Sequence, residues 1–170
     1  MRQTEASHPQ QASPDGTRPR IWAAEVPVRA DLRALSRFPH TDYADTFEIA
    51  VAPGRRTAEQ WARAVFEGAP AGMRMLLTGG WRLLGVQLAP PRVAGYVQGW
   101  RIVKNSPDAV VLQARSIAGL TARLVLQADA PVLRFATFVR CDGLIGRAIW
   151  FGVAPLHRLI VSRLLGDAAQ

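Results

Sequence analysis

Between residues 95 and 140, four apolar-alternating segments follow one another with breaks of only three or four residues, and no other feature limits the fold of this chain as strongly. The segments are 95–104, 109–116, 120–128 and 132–140. Asn105-Ser106-Pro107-Asp108 and Asp129-Ala130-Pro131 are turn-forming by residue type, and residues 117–119 make the middle break. Such short breaks leave no room for a crossover helix. Successive segments therefore pair as hairpins, and the result is an antiparallel meander.

The alternation sorts the side chains. Trp100, Ile102, Leu112, Ala114, Ser116, Ala122, Leu124, Leu126, Leu133, Phe135, Thr137 and Val139 fall on one face. The opposite face carries Arg101, Gln113, Arg115, Arg123, Gln127, Arg134 and Arg140, with a few apolar residues among them. One face is expected to be packed and the other largely wet, as antiparallel sheets allow.

Downstream, residues 143–167 read as one long helix. About 24 residues rising 1.5 Å each would span about 36 Å, enough to cross a whole sheet. Pro155 is expected to kink or split it. Apolar side chains surround most of its circumference, which predicts a largely enclosed helix. Arg147, His157 and Arg158 interrupt its apolar run, which falls short of the ~20 apolar residues of a membrane span.

Upstream, residues 21–28 suit a short strand, and 31–38 one or two helical turns with Leu32, Leu35 and Phe38 inward. Residues 43–52 alternate Phe47, Ile49 and Val51 against Thr46, Glu48 and Ala50, a half-buried strand that Pro53-Gly54 ends. Thr57 and Gln60 have capping-box spacing, and Trp61, Ala62, Val65 and Phe66 make an apolar helix face closed by Gly68. A second helix starts near Pro70 with Met73, Leu76 and Leu77 inward, and Gly79-Gly80 is expected to break or bend it.

The expected fold class is α+β. The expected domain plan is a disordered tail over residues 1–20, polar and proline-rich, and a single domain over 21–170. A hydrophobic fraction of 49% argues against global disorder. The lone cysteine, Cys141, excludes an intramolecular disulfide, and with no secretory leader legible a reducing cytoplasm is the expected compartment. The net charge of +8 suits an anionic partner, yet the excess is arginine spread over the chain with Lys104 as its one lysine, a pattern that genome composition also produces.

The run Phe138-Val139-Arg140-Cys141-Asp142-Gly143-Leu144-Ile145-Gly146-Arg147-Ala148-Ile149-Trp150-Phe151-Gly152-Val153-Ala154-Pro155-Leu156-His157 resembles the C-terminal signature of a bacterial family known only as a domain of unknown function. Asp42-Tyr43 with Asp45, and Gly99-Trp100-Arg101, are similar to it as well. The expected order of strand, two helices, antiparallel meander and long C-terminal helix resembles that of the START-like (SRPBCC, helix-grip) superfamily, to which that family is assigned. The resemblance covers about residues 40–165. It implies a curved antiparallel sheet wrapped around a long C-terminal helix, with two short helices after the first strand and a cavity between sheet and helix. Superfamily members bind lipids, hormones or polyketides, and some are cyclases or dehydratases, so fold does not choose among these.

Several residues are candidates for chemistry. His157, just past Pro155, suits a general base, or braces a backbone group that the proline frees. Asp42 and Asp45 flank Tyr43 at the entry to the first long strand. Together they suit proton sharing or capture of a polar ligand head, or else serve as caps and arginine partners. Ser116 and Thr137 are hydroxyls on an otherwise apolar face, able to orient a ligand or to bond a nearby carbonyl. Trp100, Leu124, Phe135 and Trp150 are candidate walls of a ligand cavity, or plain core. His8, His40, Cys141 and His157 lack metal-ligand spacing, and neither a phosphate loop nor a nucleophile elbow is present, so no metal and no cofactor are expected.

Three functions remain in view. The first is a binder of a small apolar or amphipathic molecule. The second is a cyclase- or dehydratase-like enzyme that uses His157 or the Asp42/Asp45 pair. The third is a basic interaction protein for a membrane surface or nucleic acid. Nucleic acid is not expected, because the basic residues lack interleaved exposed aromatics and a recognisable motif. The first is preferred, and nothing fixes the oligomeric state.

Overall fold

The computed structural model describes residues 21–52, 54 and 56–170. The expected tail, residues 1–20, and Pro53 of the strand-ending pair lie outside the described residues. In chain order the elements are β1 (Ala24–Glu25), α1 (Ala30–Ser36), β2 (Tyr43–Ala50), α2 (Ala58–Phe66), α3 (Ala71–Leu83), β3 (Tyr96–Val97), β4 (Trp100–Asn105), β5 (Ala109–Ser116), β6 (Leu120–Asp129), β7 (Val132–Cys141) and α4 (Leu144–Ala168). The fold is α+β: a seven-stranded open antiparallel sheet in the order β1-β2-β7-β6-β5-β4-β3, with a C-terminal helix.

The sheet register follows the alternation. Leu112 pairs Leu124, Leu124 pairs Thr137 and Thr137 pairs Asp45, while Leu126 pairs Phe135 and Phe135 pairs Phe47. Side chains on paired positions share a face, so these residues form the floor on which α2 and α4 pack. Thr57 closes the start of α2 with both halves of a capping box, its hydroxyl accepting from the Gln60 N–H and the Gln60 side chain accepting from the Thr57 N–H. Trp61, Ala62, Val65 and Phe66 are all buried.

Other expectations need correcting. Residues 95–104 are two strands rather than one. Gln98 and Gly99 both take positive φ (47° and 85°), a two-residue hairpin turn that sets Val97 opposite Trp100. The register then shifts between Ile102 and Lys104, a bulge in β4. Helix α3 runs through Gly79-Gly80 without a break, and of its expected inward residues only Leu77 is buried; Leu76 is exposed.

The arginine-bearing face is not simply wet either. Helix α1 covers part of it, and Leu32, Val111, Val125, Ala136 and Phe138 form a second core there. Arg123 stacks over the Phe38 ring at 4.3 Å and donates to the Ser36 carbonyl and to Gln113 Oε1, tying α1 to the sheet. Arg134 bonds Glu48 at 2.7 Å and Asp129 at 3.2 Å.

The largest departure concerns α4. It is one element with Pro155 inside, neither split nor enclosed. By length and composition it is apolar enough to cross a membrane, and only 11% of its most apolar 18-residue window is buried. Its inward anchors are Val161, Leu164 and Leu165, with Gly146 and Gly166 where other backbone comes close. The Ala23 N–H donates to the Ser162 carbonyl and the Ser162 hydroxyl to that of Ala23, so the start of the described chain crosses α4 near Gly166.

Candidate ligand cavity and its polar end

A cavity of about 160 Å³ lies between the sheet, α3 and α4. Its floor is Ala114, Ala122, Leu124, Phe135, Thr137 and Val139; α3 contributes Leu77 and Trp81, and α4 contributes Trp150, Val153, His157 and Ile160. The space exists because Ala114 and Ala122 are paired across β5 and β6, where larger side chains would fill it. Their significance is invisible until the register makes them neighbours. Leu76 and Leu156 both line the cavity and remain exposed, which places its mouth between α3 and α4.

Of the residues singled out from the sequence, Trp100, Ser116, Leu124, Phe135, Thr137, Trp150 and His157 line this cavity. Ser116 is already committed: its hydroxyl donates to the Leu84 carbonyl and accepts from the Ala118 N–H. Trp100 and Trp150 are not. Their indole N–H groups are buried without a hydrogen-bond partner among the described residues, an arrangement that buried donors rarely tolerate.

The polar end is built by strand pairing and by the crossing of α4. Asp45 and Thr137 are direct cross-strand neighbours, and α4 lowers His157 onto both. His157 Nε2 lies 2.9 Å from Thr137 Oγ1 and 3.4 Å from Asp45 Oδ2. The Tyr43 hydroxyl donates to Asp45 Oδ2 at 2.6 Å and accepts from Arg158 Nε at 2.9 Å. Tyr43 also packs edge-on against Trp150, with ring centroids 5.1 Å apart. The Asp45 side chain is fully buried, and its Oδ1 has no partner among the described residues.

Two effects oppose each other at Asp45. Burial favours the neutral acid, while hydrogen bonds and charge from His157, with hydrogen bonds from Tyr43 and Thr137, favour the anion and hold the carboxyl below its ordinary value of 3.8. Burial, and then the bond to Asp45, push the Tyr43 phenol upward, so it stays a donor. With a carboxylate facing Nε2, the ring proton of a neutral His157 belongs there, which leaves Nδ1 as the acceptor.

Asp42 does not join this cluster. Its Oδ2 accepts the Cys141 N–H at 2.8 Å and its Oδ1 meets Arg147 at 2.8 Å, so it ties the end of β7 to the start of α4. Tyr43 and Asp45 stand behind His157 rather than in the cavity wall. Cys141 is buried, and burial raises its thiol pKa, as suits an inert side chain.

No curated protein matches this chain. Residues 37–164 match the family described as Protein of unknown function (DUF2867). The match spans β2 to the buried end of α4, and so every cavity-lining residue and the whole Asp45–His157 cluster. The chain therefore belongs to this DUF2867 family of unknown function.

Proposed function

We propose that the chain binds a small, largely apolar molecule carrying a hydrogen-bond acceptor, held between the sheet and α4. The observation that carries this reading is the apolar cavity, whose lining residues include Trp100 and Trp150, each with a buried indole N–H that lacks a partner among the described residues. A dry cavity of about 150 Å³ accepts a benzene-sized guest, and this one is of that order, about 160 Å³. A one-ring or short-chain molecule with a ketone, ester or hydroxyl oxygen fits both the volume and the donors. The helix-grip expectation agrees with this placement, since such folds bind guests between the sheet and the C-terminal helix.

The test is a matched pair of neutral guests, acetophenone and ethylbenzene, titrated by tryptophan fluorescence, with native mass spectrometry of the freshly purified protein for a retained ligand. Acetophenone is expected to bind roughly fivefold more tightly, the worth of about one hydrogen bond, and Trp150→Phe to narrow that difference. Absence of binding by either guest at millimolar concentration would remove the reading.

A second reading follows from the pairing of Asp45 with His157. A histidine held by a carboxylate on one nitrogen, with no hydrogen bond to the other among the described residues and its ring on a cavity wall, is equipped as a general base. On this reading the guest is a substrate that loses a proton to Nδ1, as in a cyclase or dehydratase. His157→Gln is expected to leave guest affinity within about threefold while turnover falls about 10²–10⁴-fold.

A further inference from the structure

Helix α4 leaves one side bare. Leu144 (82%), Ile145 (73%), Phe151 (85%), Leu156 (57%) and Leu159 (57%) are exposed. Leu144, Ala148, Phe151, Pro155 and Leu159 recur every three or four residues and so form one line along the helix, with Ile145, Gly152 and Leu156 beside it. Arg147 and Arg158 border one flank and Arg163 the other; each faces a carboxylate, Asp42 at 2.8 Å, Glu25 at 3.7 Å and Asp167 at 3.8 Å, yet their side chains stay 58%, 47% and 44% exposed and open to a second anion. Within α4 no Asp or Glu precedes Asp167. Across the cavity mouth, α3 adds exposed Leu76 and Leu83, and the β5–β6 turn adds Ile117.

Large apolar side chains gathered this way mark a contact surface. Three occupants can be compared. The sequence of residues 1–20 contains no large apolar side chain except Met1, so it has nothing to lay on this face. A second copy would bring arginine flanks against arginine flanks in a chain of net charge +8. An anionic lipid surface satisfies both parts, since hydrocarbon accepts the apolar ridge and phosphates accept the arginines. Spanning is excluded by the inward side of α4, where Val161, Leu164 and Leu165 are buried in the core and His157 reaches Asp45.

We propose that the outer face of α4, with the neighbouring rim of α3, docks in the plane of an anionic lipid surface. Leu144, Phe151 and Leu159 then enter the boundary between headgroups and acyl chains, and Arg147, Arg158 and Arg163 meet lipid phosphates. The cavity mouth faces the bilayer in this orientation. The proposal goes beyond the ligand reading and does not depend on it.

The experiment is co-sedimentation of the full chain with vesicles of phosphatidylcholine alone or with phosphatidylglycerol at a 7:3 ratio, alongside light scattering for molecular mass. Binding is expected to the anionic vesicles, to weaken in 0.5 M NaCl, and to be slight on neutral ones. Phe151→Ser with Leu159→Ser is expected to weaken binding at least about tenfold, because even half-burying a Phe and a Leu in hydrocarbon is worth that factor. Leu144→Ser with Ile145→Ser serves as a second variant, and circular dichroism checks that both fold. Undiminished binding by both folded variants would overturn the proposal. So would a dimer that the Phe151/Leu159 variant dissociates, which makes a second copy the occupant. A monomer that ignores anionic vesicles would also overturn it and point to a protein partner.

Discussion

Asp45→Asn isolates the charge at the centre of the polar cluster. The substitution keeps the shape of the side chain and an acceptor for Tyr43, but removes the carboxylate facing His157 Nε2. It also places amide hydrogens in a fully buried position where Asp45 Oδ1 already lacks a partner among the described residues. A hydrogen bond to a charged group contributes about 1.5–3 kcal/mol and an unpaired buried donor costs about 1–3 kcal/mol. Relief from burying a charge offsets part of this. The expected net loss is about 2–3 kcal/mol at pH 7, a fall in melting temperature of roughly 4–12 °C for a chain of this size.

The pH dependence gives the sharper test. The folded carboxyl lies below its ordinary value of 3.8, so its stabilisation is complete above that value and is lost as pH falls through the folded pKa. The gap between wild type and Asp45→Asn should be present at pH 7 and shrink below about pH 4. Urea unfolding followed by tryptophan fluorescence measures that gap, and taking the difference cancels the other carboxylates. A gap as wide at pH 3 as at pH 7, or a variant as stable as wild type, would refute the assignment of a buried, ionised Asp45.

Three further outcomes are expected. Gly166→Ala should cost about 1–3 kcal/mol or more by overpacking, because an added Cβ overlaps the Ile21 carbonyl oxygen; thermal melts against Gly152→Ala, where a Cβ meets nothing, give the comparison. Arg123→Lys should destabilise nearly as much as Arg123→Ala, about 1–2 kcal/mol, since lysine reproduces neither the planar stacking on Phe38 nor the paired bonds to Ser36 and Gln113. Phe135, 1% exposed and 6.1 Å from the Phe66 ring, both packs the core and floors the cavity; Phe135→Ala should cost about 3–5 kcal/mol in urea unfolding and allow larger guests to bind.

What the sequence revealed was local. The capping box at Thr57 and Gln60 is three residues wide, and the strand alternation repeats every second residue, so both can be read without knowing the fold. Asp45 and His157 are different, because their meeting depends on pairing Asp45 with Thr137 and on where a distant helix crosses that pair. Asp42, equally acidic and three residues away, turns to the Cys141 backbone instead. Composition misled at α4, where an apolar circumference implied enclosure although only one side of the helix meets the core. It misled again at Gly79-Gly80, where the rest of α3 holds the helix together through two weak formers.

The two outermost strands of the sheet, β1 and β3, are two residues long. They offer almost no backbone for another chain to extend in register. Beyond β3, the free stretch of β4 is bulged between Ile102 and Lys104, and there the chain places its one lysine, exposed to solvent. Short borders, a bulge and a charge are the devices that keep β-proteins from growing edge to edge into fibrils. A crowded solution of this protein is therefore defended against strand-by-strand aggregation, while its greasiest surface, on a helix, has no ladder of open hydrogen bonds with which to seed one.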